Sequence, residues 1–179
     1  MAKWITLNSL DTRAGSLEAA DMTRTFGHKV RTRVCGIAVR DNKILLVRHE
    51  PLGPEGYLWS PPGGGGEYGL SLQEQLVKEF DEETGLKVKI GAFMFVNEYL
   101  YTPIHAVEVF FKIEIISGEL TLGHDPELSS EDQMIKEVCF LDFEEVKKMN
   151  PLTVHNSFRY CSNIDELLNL KGYFIFQNN

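Results

Sequence analysis

GGGEYGLSLQEQLVKEFDEETGL, residues 64–86, is the stretch around which the rest of this chain is read. Ser71 with Glu74 three residues on is a capping-box pattern. Leu72, Leu76, Val77 and Phe80 recur at helical spacing, and Gly85 is a natural C-terminal stop. The pattern predicts a helix from Ser71 to Gly85 with its apolar stripe on a core. Four carboxylates crowd the end of that helix: Glu79, Asp81, Glu82 and Glu83. Glu79, Glu82 and Glu83 stand at i, i+3 and i+4, so the helix stacks them on one face. They fall in the last turn, where the helix dipole disfavours negative charge. Each like-charge pair costs about 0.2–0.5 kcal/mol on an isolated helix. A cation is therefore expected above this face, and hard oxygen ligands point to Mg²⁺ or Mn²⁺.

Ahead of the helix, Pro61-Pro62 and Gly63 to Gly66 form a run that reads as irregular backbone. Such a run lets main chain pass close to a ligand or to the helix. Further upstream, Arg33–Val39 and Ile44–Val47 are apolar runs around Arg40-Asp-Asn-Lys43, which predicts a β-hairpin with an Asp-Asn turn. Residues 1–27 read as an N-terminal extension with an edge strand at Trp4–Leu7, and residues 28–179 as a single domain. Downstream, Val88–Ile90, Ala92–Val96, Val107–Ile116 and Val138–Leu141 read as strands. Asp142, with Glu145 three residues on, caps a short helix from Phe143 to Met149, which Pro151 stops. A last helix is expected over Asn163–Leu170, ahead of an apolar tail, Tyr173–Phe176.

The chain has 179 residues, 43% of them hydrophobic, and a net charge of −8. That is enough for one domain with a real core. The acidic balance excludes a general binder of nucleic-acid polymers or acidic membranes, while a small anionic substrate remains open if metal ions bridge it to the protein. No apolar run approaches the roughly 20 residues of a membrane span. Charged and polar residues interrupt Met1–Met22, so no secretory signal is expected there. Cys35, Cys139 and Cys161 are odd in number and scattered. That pattern predicts buried, reduced thiols and a cytoplasmic protein.

At this point the residues resemble the Nudix hydrolase family, whose box reads G-x5-E-x7-R-E-U-x-E-E-x-G-U, with U bulky and apolar. Gly64 opens the box, Lys78-Glu79-Phe80-Asp81-Glu82-Glu83-Thr84-Gly85-Leu86 closes it, and Trp59-Ser-Pro-Pro-Gly-Gly64 matches the approach. The resemblance implies an α/β fold, a Nudix-type α/β/α sandwich with a mixed β-sheet over residues 28–165. It also implies hydrolysis of a pyrophosphate bond in a nucleoside diphosphate linked to another group. ADP-ribose-like compounds and nucleoside triphosphates are the substrate options. Glu79, Glu82 and Glu83 would hold Mg²⁺ or Mn²⁺, and Glu83 and Glu82 would serve the chemistry. Gly63, Gly64 and Arg48 are the candidate substrate contacts. The general base is open between Glu83, Glu127 and Glu131. Glu108 is expected to face outward, or else to need a partner such as the metal site. His49 and His105 are expected to be structural.

Two box positions depart from the pattern. Leu70 replaces a glutamate and Lys78 an arginine, which pair in the family; Glu67 is a substitute partner for Lys78. The departure motivates an alternative, a nucleotide-binding or sensor domain with weakened catalysis. The extension over residues 1–27 has the length to add a strand to a second copy, so a homodimer is one expectation.

Overall fold

The computed structural model describes residues 26–123 and 133–177. The expected strand at Trp4–Leu7 and the loop acids Glu127 and Glu131 lie outside them. Among the described residues, eight strands form one mixed sheet. They are β1 (Val30–Arg40), β2 (Lys43–His49), β3 (Leu58–Ser60), β4 (Gly63–Gly65), β5 (Lys87–Tyr101), β6 (Ile104–Ser117), β7 (Ile135–Asp142) and β8 (Gly172–Gln177). The main path runs β3-β2-β1-β6-β5-β8, with β4 on β1 and β7 on β2. The β1–β6 and β5–β8 pairs are parallel and the rest antiparallel.

Strand alternation sends each strand to two cores. Cys35 and Ile37 of β1, Ile44 and Leu46 of β2 and Phe110 of β6 face one side. There they meet α2 (Phe143–Lys148) through Phe143 and Val146, a 3₁₀ turn (Asn156–Tyr160) through Phe158, and α3 (Ile164–Asn169) through Ile164 and Leu167. Val34 and Ala38, Leu45, and Phe111 and Ile113 face the other side. There they meet Leu76 and Phe80 of α1, Leu72–Thr84. Burying each of the Val, Leu, Ile and Phe side chains among them contributes about 1.5–3 kcal/mol. The result is the expected three-layer α/β/α sandwich, with the acidic helix alone on its layer among the described residues.

The helix ends are as the sequence predicts. Ser71 and Glu74 form the reciprocal capping box, and Gly85 closes the helix with φ 69° in the left-handed region that suits glycine. Asp41 and Asn42 turn the hairpin at φ 52° and 60°. Three expectations change. Gly63–Gly65 is not irregular; it pairs with Arg33–Cys35 as a short strand, since backbone pairing needs no side chain. The two strands expected over 88–96 are one long β5, bent by register shifts between Ile90 and Val96. The apolar tail is β8, an added strand parallel to β5.

Candidate active site

The last turn of α1 lies beneath β4 and the end of β2. Glu83 is buried and held at both oxygens. Its Oε2 accepts from the Gly63 amide at 2.9 Å, and its Oε1 accepts from His49 Nε2 at 3.2 Å. Glu79, one turn earlier, accepts from Gln75 Nε2 at 2.7 Å. Burial, and then the neighbouring Glu83 charge, push the Glu79 carboxyl up to about 7, against the Gln75 hydrogen bond and the Arg33 charge. A Cβ on Gly64 would collide with the Glu79 carboxylate, so only glycine lets β4 lie this close. Glu82 is half-buried on the same turn. Asp81, by contrast, points away and pairs with Lys87 at 2.6 Å.

Glu79 and Glu83 are therefore brought together against Gly63 and Gly64, as the spacing predicts. Among the described residues, no three His, Cys, Asp or Glu side chains converge tightly enough to form a closed metal cage. The physical reason is visible in the contacts. Glu83 is drawn to Gly63 and His49, and Glu79 is drawn to Gln75. Two buried polar atoms beside these acids, His49 Nδ1 and Gln75 Oε1, have no hydrogen-bond partner. Such atoms are uncommon in a site organised for its own stability.

The other candidates are placed as follows. Lys78 Nζ lies 3.1 Å from Glu67 Oε2, the substitute pair suggested by the sequence, while Leu70 is 42% exposed. Arg48 lies on the β2 face opposite His49. It pairs with Glu50 at 2.7 Å and Glu137 at 3.7 Å, and its guanidinium stands 5.7 Å from the Tyr57 ring. His105 Nε2 donates to Glu98 Oε1 at 2.8 Å. Cys35 and Cys161 are buried free thiols, and Cys139 is half-buried.

Glu108 corrects the sequence reading. It faces inward, only 6% exposed. Its Oε2 accepts from Asn97 Nδ2 at 2.7 Å and His155 Nε2 at 3.0 Å, and its Oε1 lies 3.5 Å from Arg33 Nε. Asn97 Oδ1 in turn accepts from Asn156 at 2.9 Å and the Tyr160 hydroxyl at 2.8 Å. Burial works against the Glu108 charge, but His155, Arg33 and Asn97 outweigh it and hold the carboxyl down at about 2. Arg33 Nη2 also donates to the Gly63 carbonyl at 3.3 Å, which ties this network to β4 over Glu83. Sequence reasoning missed Arg33, Gln75 and the His155 cluster. A polar residue at a buried strand position was the one available signal, and it names no partner.

Comparison with known proteins agrees with this geometry. The NUDIX domain family model matches residues 29–160. An ADP-ribose pyrophosphatase of Methanocaldococcus jannaschii is 32% identical over 121 residues, 65% of this chain and 64% of that protein. A Bacillus subtilis relative is 34% identical over 95 residues, half of this chain and 44% of its own length. The chain thus spans less than two thirds of either relative. The structure of a NUDIX hydrolase from Nitrosomonas europaea superposes with a TM-score of 0.57 at 20% identity, covering 70% of this chain and 80% of that one; it shares the fold. Family match, eight-stranded mixed sheet and capped acidic helix agree: this chain belongs to the NUDIX family.

Proposed function

We propose that this protein is a divalent-metal-dependent pyrophosphohydrolase acting on a nucleoside diphosphate linked to another group, with an ADP-ribose-like compound as the leading substrate. The observation that carries this reading is the pair Glu79 and Glu83, one turn apart under a glycine strand, with the Glu79 carboxyl raised to about 7 by burial and by Glu83. A helix face that disfavours its own ionisation is suited to a cation. The relative from M. jannaschii supports the substrate class.

The donor set fits Mg²⁺ or Mn²⁺, because all three acids offer hard oxygens. Glu79, Glu82 and Glu83 would hold the ion. When bound, it neutralises phosphate oxygens and makes a water more acidic. The chain's own residues do the rest. His49 and the Gly63 amide fix both oxygens of Glu83 before substrate arrives. Gly64 allows the β4 backbone to approach the acids, so a diphosphate lying along β4 reaches them without a side chain in the way. In this reading Glu82 and Glu83 would orient the attacking water and take its proton. The Lys78–Glu67 pair supplies a brace where Leu70 offers none. It is exposed and worth at most about 1 kcal/mol.

The test is product release from a panel of ADP-ribose, other nucleoside diphosphate derivatives and nucleoside triphosphates, with Mg²⁺ or Mn²⁺. Turnover of ADP-ribose that collapses in Glu83→Gln is the expected result. Tight binding of a panel compound without turnover would replace this reading with the sensor alternative.

A further inference from the structure

The acidic turn has a cationic counterpart on β1. Arg31 and Arg33 are two residues apart on one strand, so they project from the same face. Both lie against β4. Arg33 Nη2 donates to the Gly63 carbonyl at 3.3 Å, and a Cβ built on Gly65 would stand 3.4 Å from Arg31 Nη2. Arg33 has the nearby Glu108 carboxylate, itself fixed by Asn97 and His155. Arg31 has the Phe26 ring 4.1 Å from its guanidinium, and among the described residues no carboxylate is paired with it. Burial and the adjacent Arg33 bring Arg31 down to about 10, with Glu108 opposing. Burial opposes the Arg33 charge, but Cys35, Glu108, Glu83 and Glu79 outweigh it and raise that group, so Arg31 is the guanidinium whose charge an arriving anion would relieve. The strand β4 that runs between them and the acids is glycine throughout and contributes no side chain of its own.

We propose that Arg31 and Arg33 form an anion seat beside the acidic turn, taking the diphosphate oxygens that the metal ion does not. The inference rests on the pyrophosphohydrolase reading and names the residues that would grip its substrate. The planar guanidinium fork suits phosphate oxygens, and two forks side by side suit two phosphates. Glu108 is a positioning residue here: its charge holds the Arg33 fork in place against Gly63 without touching substrate.

The experiment is calorimetric binding of inorganic pyrophosphate in Mg²⁺ buffer to wild type, Arg31→Met, Arg33→Met and Arg33→Lys. Arg40→Met is the control, because Arg40 lies at the far end of β1 over Phe140. Both methionine variants should weaken binding by about tenfold or more. Arg33→Lys should recover part of the loss, and the control should bind like wild type. Unchanged binding in Arg31→Met and Arg33→Met overturns the seat, and so does a wild type that does not bind pyrophosphate. If Arg33→Met does not fold, Arg31→Met and Arg33→Lys decide. Pyrophosphate binding that needs both arginines, in a protein that turns over no nucleotide derivative, supports the seat and removes the hydrolase reading. Turnover with KM unchanged in the variants keeps the hydrolase reading and removes the seat.

Discussion

His49 Nε2 donates to Glu83 Oε1 at 3.2 Å, joining the last residue of the β2 strand to the last turn of the acidic helix. With the Gly63 amide on the other oxygen, the Glu83 carboxylate is oriented by two elements that lie 34 and 20 residues away in the chain. The hairpin register and the glycine strand therefore set the direction of the acid as much as the helix does.

His49→Phe should lower kcat for ADP-ribose by about tenfold or more, as losses beside metal ligands commonly do. KM should change little. The thermal unfolding midpoint should also fall, because one oxygen of the buried Glu83 carboxylate loses its partner at a cost of about 1–3 kcal/mol or more, while His49 Nδ1 has no partner to lose. Steady-state kinetics and a melting curve check this; an unchanged kcat would remove His49 from the site.

Gly64→Ala should raise the Mg²⁺ concentration for half-maximal turnover by about tenfold or more. The new methyl group would press on the Glu79 carboxylate and turn it from its present direction. A Mg²⁺ titration of initial rates reads the change. Wild-type Mg²⁺ dependence in the variant would mean that β4 does not constrain Glu79.

Glu79 makes the metal-free protein less stable as pH rises. Its folded-state pKa of about 7 lies above the ordinary value of 4.5, so protons stabilise the fold. The benefit is complete below pH 4.5 and is lost as pH climbs through 7. In EDTA, Glu79→Gln should therefore melt higher than wild type at pH 8 and equal to it near pH 4.5. Adding Mg²⁺ should raise the wild-type midpoint more than that of the variant. Calorimetry at the two pH values checks this, and a wild type that melts higher in EDTA at pH 8 would contradict it.

The acidic helix was legible because its signals are local. Capping box, apolar stripe, closing glycine and stacked acids lie within 15 residues of one another, from Ser71 to Gly85, and the hairpin turn at Asp41-Asn42 is equally local. Gly63–Gly65 escaped because strand patterns are read from side chains that glycine lacks. The long β5 escaped because its bends break period-2 alternation. Glu108 was misread because its partners, Asn97, His155 and Arg33, come from three other parts of the chain, and only the folded sheet brings them together.

Glu108 carries the opposite pH signature to Glu79. Its pKa of about 2 lies below the ordinary 4.5, so the stability it adds is present above pH 4.5 and is lost as pH falls toward 2. The difference in melting midpoint between wild type and Glu108→Gln should be largest at pH 6 and shrink steadily from pH 4.5 to 3. A difference that stays constant across that range would show that Glu108 is not ionised in its network.

Mn²⁺ binding, followed by electron paramagnetic resonance of the free ion, decides whether the acidic turn is a cation site. Wild type and Asp81→Asn should bind Mn²⁺ alike, because Asp81 faces Lys87 and not the site. Glu79→Gln and Glu83→Gln should each weaken binding by about tenfold or more. Equal binding by all four proteins, or a loss confined to Asp81→Asn, would contradict the placement of the ion over Glu79 and Glu83 and the hydrolytic chemistry built on it.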